Sequence, residues 1–288
     1  MNKIGLYYSY WIKDWEATYS SFITMVANLG FDIFEVNSSR LLNAEKQEKE
    51  NLKNFAKEND VILTFCTALT KEHDISSENR AIRANGVKFL KKNLGLISEM
   101  GGASLSGVIY GAWGQSLDGP LKNKSDYLNR SIDSMKEVIK IAEDSGIYCN
   151  VEVLNRYEQF LLNTCQEALD YVYAVDSPNL KIHLDTYHMN IEEDSFDQAI
   201  VRAGEKLGHF HIGENNRRLP GKGHIPWDEV FNGLRKIEYN GHIVIEPFIQ
   251  HEGDVAKSVK LWRDIKKDED LYKEAKKSLE FLKGKLRK

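Results

Sequence analysis

The sequence predicts a single (β/α)8 barrel spanning residues 1–288. Three observations lead there. Short apolar or β-rich runs alternate with longer stretches of helical periodicity along the whole chain. The alternation repeats eight times, at about 36 residues per unit when the C-terminal tail is counted as the last helix. No linker or low-complexity segment interrupts it.

In chain order, the strand candidates are Ile4–Tyr8, Ile33–Val36, Val61–Cys66, Leu105–Tyr110, Tyr148–Val153, Leu180–Leu184, Gly208–Ile212 and Ile243–Glu246. Helical periodicity occupies Tyr19–Leu29, Asn51–Glu58, Arg80–Met100, Asp126–Asp144, Cys165–Val175 and Trp227–Lys236. Gly30 and Gly146 close helix candidates immediately before apolar strands, where a left-handed C-cap belongs. Strand–helix alternation builds a parallel sheet covered by helices, and eight units close it into a barrel rather than an open sheet. The first strand is followed by no GxGxxG, and the chain has no Walker-type loop, which weakens a nucleotide-binding reading.

Composition bounds the function. A chain with 42% hydrophobic and 28% charged residues can bury a large core. The formal net charge of −4 gives no electrostatic reason to expect a nucleic-acid or membrane partner. Between Lys257 and Lys288 basic residues are dense but interleaved with Asp and Glu, the pattern of a solvated helical face. Cys66, Cys149 and Cys165 are odd in number and form no CxxC, so neither a disulfide framework nor a thiolate zinc site is expected. A reducing, cytoplasmic setting is the simplest inference. Met1-Asn2-Lys3-Ile4-Gly5 runs into a strand-like stretch without a signal-peptide pattern, and no apolar run is long enough to span a bilayer.

The informative feature lies in the second half. Four successive strand candidates end on an ionisable residue: Glu152, Asp185, His211 and Glu246, separated by 33, 26 and 35 residues. In a barrel, the C-terminal ends of neighbouring strands converge on one rim. Each residue alone has an ordinary explanation; Asp185, for example, fits a helix N-cap. All four at the same place in consecutive repeats point to a metal site, because clustered buried carboxylates repel one another unless a cation joins them. One nitrogen and three carboxylates favour Mn²⁺, Co²⁺ or Mg²⁺ over structural zinc. Further polar groups sit in the loops beyond: Glu158 after Glu152, His188 after Asp185, and Arg217 after His211. Tyr7, Trp15 and Trp113 could wall a sugar face.

These residues carry a resemblance. Glu152-Val153-Leu154-Asn155-Arg156, Leu184 through Asp194, His209-Phe210-His211, Pro220-Gly221-Lys222-Gly223 and Glu246-Pro247-Phe248 closely resemble the D-tagatose 3-epimerase / D-psicose 3-epimerase family. The opening Gly5-Leu6-Tyr7-Tyr8-Ser9-Tyr10-Trp11 is similar too, as is Leu29-Gly30-Phe31-Asp32. The resemblance implies a xylose-isomerase-like TIM barrel, with Mn²⁺ or Co²⁺ held by Glu152, Asp185, His211 and Glu246. It implies that Glu158, His188 and Arg217 hold ketose oxygens near C1 to C3, that Tyr7 and Trp113 line the pocket, and that Glu152 and Glu246 are the catalytic pair. Expected substrates are free ketohexoses: D-fructose and D-psicose, or D-tagatose and D-sorbose. A homo-oligomer, dimer or tetramer, is expected.

The chain departs from the family at Cys66, across Ser106–Trp113, at Tyr187 and at Ile212, positions expected to lie near the distal carbons of the sugar. Three other readings compete. An aldose–ketose or hydroxypyruvate-type isomerase on the same barrel is separated by product analysis. A metal-dependent endonuclease of the same fold needs more histidine ligands and a basic groove. A non-catalytic sugar-binding protein leaves two glutamates at the metal unexplained.

Overall fold

A computed structural model describes residues 2–287, so Met1 and Lys288, the two ends of the expected 1–288 domain, lie outside the described residues. Eight parallel strands close into a barrel in sequence order: β1 (Ile4–Tyr7), β2 (Ile33–Asn37), β3 (Ile62–Leu69), β4 (Ser104–Ala112), β5 (Tyr148–Glu152), β6 (Leu180–Asp185), β7 (Leu207–Ile212) and β8 (Ile243–Ile245). The ring shuts where Ile4, Gly5 and Leu6 pair with Ile243, Val244 and Ile245. Every strand candidate falls on an observed strand.

The outer layer consists of α1 (Ser20–Leu29), α2 (Ser38–Leu42), α3 (Lys46–Glu58), α4 (Arg80–Met100), α5 (Lys124–Ser145), α6 (Cys165–Val175), α7 (Thr186–Glu192), α8 (Phe196–Ala203), α9 (Trp227–Lys236), α10 (Gly253–Ser258) and α11 (Leu271–Leu286). Gly30 and Gly146 end α1 and α5 at φ of 85° and 65°, a left-handed conformation that costs a residue with a Cβ about 1 kcal/mol. Thr164 and Glu167 form a reciprocal capping box that starts α6 directly after the β5 loop. The tail helix α11 packs against α9 and α1, burying Ala275, Leu279 and Leu282 and completing the helical ring. Its basic residues lie largely outward, as the interleaved charge predicts.

The barrel interior is apolar at some levels and polar near the site. Gly107 in β4 has φ of 114°, and a Cβ there would lie 2.1 Å from the Thr67 carbonyl oxygen, so glycine lets β3 and β4 close together. On β5 to β7 the register pairs Glu152 with His183 and Asp185 with His211. Side chains alternate between the barrel interior and the helical layer, so inward residues at the C-terminal strand ends gather at one rim. Cys66, Cys149 and Cys165 are buried and unbridged. No helix among the described residues is long and apolar enough to cross a membrane.

Candidate metal centre and active-site cavity

Glu152, Asp185, His211 and Glu246 converge at the C-terminal rim, with one candidate ligand atom from each lying within 4.8 Å of the others. All four are buried. Asp185 is also the N-cap its sequence position allows, since its Oδ1 accepts from Tyr187 N at 2.9 Å at the start of α7. His211 Nδ1 stands 3.5 Å from Glu246 Oε1 and 3.9 Å from Glu152 Oε1, yet has no hydrogen-bond partner among the described residues. An orphaned imidazole nitrogen beside three buried carboxylates is a donor set that fits a divalent cation.

Electrostatics agree. Burial, and then the Glu246 charge, push the Glu152 carboxyl well above the usual carboxylate range. Burial carries Glu246 up to about 7 against the opposing pull of His211 and Arg217. Burial works to lower His211, but Glu35 and Glu246 outweigh it and raise it to about 10.

Beside this cluster lies a cavity of about 410 Å³, of ordinary size for a small-molecule site. Tyr7, Trp113, Glu152, Glu158, His188, Arg217 and Glu246 all line it, so the expected site residues meet in one place. A larger depression of about 640 Å³ lies on the outer helices among Arg80, Arg83, Lys88 and Lys91, away from the strand ends where the carboxylates gather.

Each side chain around the cavity is fixed by its neighbours. His188 Nδ1 faces the Asn155 backbone N–H at 3.1 Å and accepts from it, which leaves Nε2 carrying the proton. That N–H lies 3.8 Å from Asp185 Oδ2 and 3.9 Å from Glu152 Oε1. Burial lowers His188 to about 4, so the ring is a neutral donor at pH 7. Glu158 accepts from Trp113 Nε1 at 2.9 Å and Asn155 Nδ2 at 3.0 Å. Burial opposes its ionisation, but His188 and Arg217 prevail and hold it at about 2. Arg217 donates to Glu246 Oε2 at 2.9 Å and Asp185 Oδ2 at 3.3 Å, and stacks 3.6 Å from the Tyr187 ring centroid.

Arg217 reaches this position through a loop under constraint. Its φ is 61°, uncommon for a residue with a side chain. Its amide donates to Glu214 O, and its carbonyl accepts from Phe248 N, each at 2.9 Å. Buried Glu214 ties the loop together by accepting from Gly221 N, Ile225 N and Trp227 Nε1. A Cβ at Gly223 would lie 2.4 Å from Glu214 Oε2, which explains the glycine of Pro220-Gly221-Lys222-Gly223.

Not every expectation about the departures holds. Cys66, Val108 and Trp113 line the cavity, but Tyr187 and Ile212 do not. Ile212 is packed in the core, and the Tyr187 ring meets the site through Arg217 and through His188, 5.1 Å away between ring centroids. Sequence reasoning also passed over Phe248, which lines the cavity and meets Tyr7 and Trp15 at ring distances of 6.2 and 6.1 Å. Phe248 lies inside a motif segment, two residues past Glu246, and that proximity was the available signal.

Fold and rim together define a barrel of the xylose isomerase-like class. The family model described as "Xylose isomerase-like TIM barrel" matches residues 23–283. Among curated relatives, D-psicose 3-epimerase of Ruminiclostridium cellulolyticum is 42% identical over 97% of this chain and 96% of that one. D-psicose 3-epimerase of Agrobacterium fabrum is 40% identical over 94% of this chain and 93% of its own. A crystal structure of D-psicose 3-epimerase with D-tagatose from Clostridium cellulolyticum superposes with a TM-score of 0.95 at 41% identity, covering 99% of each chain. The chain belongs to the ketose 3-epimerases of the xylose isomerase-like TIM barrel family.

Proposed function

We propose that this protein epimerises free ketohexoses at C3, interconverting D-fructose with D-psicose or D-tagatose with D-sorbose, with Glu152 and Glu246 as the proton-transferring pair. The observation that carries this reading is the pair itself. Two buried carboxyls, one ending β5 and one just past β8, face the same histidine nitrogen from strands separated by β6 and β7. Burial raises both, Glu246 to about 7, near neutral pH where a carboxyl can either hold or take a proton.

Epimerisation removes the C3 hydrogen, α to the C2 carbonyl, on one face and returns a proton on the other. One glutamate starts ionised and the other protonated, and the roles exchange with reaction direction. Glu152, Asp185, His211 and Glu246 would hold the metal, with Mn²⁺ or Co²⁺ preferred and Mg²⁺ compatible with the donor set. When bound, it supplies Lewis-acid polarisation of the carbonyl and balances the charge left on the sugar by proton loss.

The remaining residues position the sugar. The His188 Nε2–H and the Arg217 guanidinium donate to its oxygens, and ionised Glu158 accepts from its hydroxyls. Tyr7, Trp15, Trp113 and Phe248 form an apolar wall that keeps water from the reacting carbons. The buried, unbridged cysteines support the expected cytoplasmic setting. A homo-oligomer, dimer or tetramer, is part of this reading, and sedimentation can count its subunits.

Turnover of D-fructose in D₂O tests the chemistry. The product D-psicose should carry deuterium at C3 and gain none at C1. Label at C1 would mark an aldose–ketose isomerase working across C1 and C2. Product unlabelled at C3 would remove the glutamate pair from the mechanism.

A further inference from the structure

Glu35 is a carboxylate that the proposed reaction does not use. It sits in β2 within Ile33-Phe34-Glu35-Val36, is fully buried, and does not line the cavity. Both of its oxygens are engaged. Oε1 lies 2.5 Å from His211 Nε2. Oε2 accepts from Thr64 Oγ1 at 2.7 Å and lies 2.8 Å from His209 Nε2, an ion-pair distance without hydrogen-bond alignment. Beneath the rim it therefore joins β2 to β3 and β7.

A carboxylate only accepts, so the nitrogen against it must carry hydrogen. Ligation takes a neutral ring, and in the neutral ring His211 Nε2 is thereby fixed as the N–H while Nδ1 is the atom with a lone pair to offer. Nδ1 is also the nitrogen that faces Glu152 and Glu246. The alternative tautomer would set an Nε2 lone pair against Glu35 and turn an N–H toward the cation position. From this geometry we infer that Glu35 is a positioning residue, whose hydrogen bond holds His211 in the Nε2–H tautomer and orients Nδ1 as a metal ligand.

A purely structural role is the competing account, and charge separates the two. Full burial of a carboxylate between Phe34 and Val36 is costly unless its oxygens are bonded. Glutamine would keep the shape and an accepting oxygen at lower desolvation cost. A buried anion behind a ligating histidine does what an amide cannot, because it raises ligand basicity and fixes the tautomer firmly.

The inference rests on the metal reading above, and the experiment keeps the two apart. The chain is stripped with chelator and titrated with Mn²⁺ and with Co²⁺ by calorimetry, and the visible absorption of the Co²⁺ form is recorded. Wild type should bind one equivalent. Glu35→Gln, folded by circular dichroism, should bind about 10- to 100-fold more weakly and show an altered Co²⁺ band. At saturating metal its KM for the ketose should stay at the wild-type value while kcat falls. A folded Glu35→Gln protein with wild-type metal affinity and an unchanged Co²⁺ spectrum overturns the inference. If that variant does not fold, wild type labelled with ¹⁵N-histidine decides. Addition of diamagnetic Mg²⁺ should shift the Nδ1 signal of a ring protonated at Nε2, whereas a shift at Nε2 of a ring protonated at Nδ1 overturns the assignment. A wild-type chain that takes up none of these metals brings down the metal reading itself, a result distinct from either.

Discussion

Metal affinity should rise steeply with pH, and the structure sets the size of the effect. Glu246 is raised to about 7 in the metal-free site, so a cation must displace a proton from it at mildly acid pH. At about pH 5.5 the protonated form exceeds the ionised form roughly 30-fold, and at about pH 8 it is a minor species. Competition at this one residue therefore weakens binding by about 30-fold, or about 2 kcal/mol, across that interval. Glu152 and His211 are raised as well and add in the same direction. The sign carries over to stability. A carboxyl whose value is raised by folding contributes fully below its unfolded value and loses that contribution as pH climbs through the folded one. The metal-free fold should lose about 2 kcal/mol through Glu246 between about pH 5.5 and 8, and the gap in Tm between metal-loaded and metal-free protein should widen over the same range. Calorimetric Mn²⁺ titrations in buffers of different ionisation enthalpy measure both affinity and protons released. A flat affinity across this interval, or binding without proton release, would refute the reasoning.

Two further outcomes follow from the same geometry. Glu152→Gln and Glu246→Gln should each lower turnover by about 10²–10⁴ from lost proton transfer alone, with weakened metal binding on top; a Glu246→Gln enzyme within about tenfold of wild type would dismiss the pair. Arg217→Ala and His188→Ala should lose turnover while still purifying with metal, as read by elemental analysis, because both groups face the sugar position. A metal-free preparation of either variant, beside a metal-loaded wild type, would place that residue in the ligand set instead.

The second half of the chain was far more legible than the first. Glu152, Asp185, His211 and Glu246 announce themselves because each interrupts an apolar strand at the same phase of the repeat. Glu35 interrupts a strand too, but alone, and its partner His211 lies 176 residues away, so no local pattern joins them. The long helices α4, α5 and α6 follow their apolar periodicity closely. The helix read as Asn51–Glu58 begins earlier, at Lys46, where charged residues dilute the apolar stripe. The short α2, α7 and α10 span too few turns to show a period, and α8 was missed although Ser195 caps it by accepting from Gln198 N. Arg217 could be named as a rim residue, but its backbone conformation and its stacking on Tyr187 depend on contacts among its own loop, α7 and the segment after β8.

The histidine layer beneath the rim bears on molecular traffic. His183 packs 4.0 Å from the His211 ring centroid and 4.8 Å from that of His209, and together with Glu35 these side chains plug the barrel's centre below the carboxylates. The chamber is thus a cul-de-sac rather than a tunnel. A sugar arrives and departs on the rim side, and it cannot leave until the groups gripping it let go. For an epimer pair that differs at a single carbon, substrate and product then contend for the same grip. The forward reaction is expected to slow as its own product accumulates, well before the mixture reaches balance.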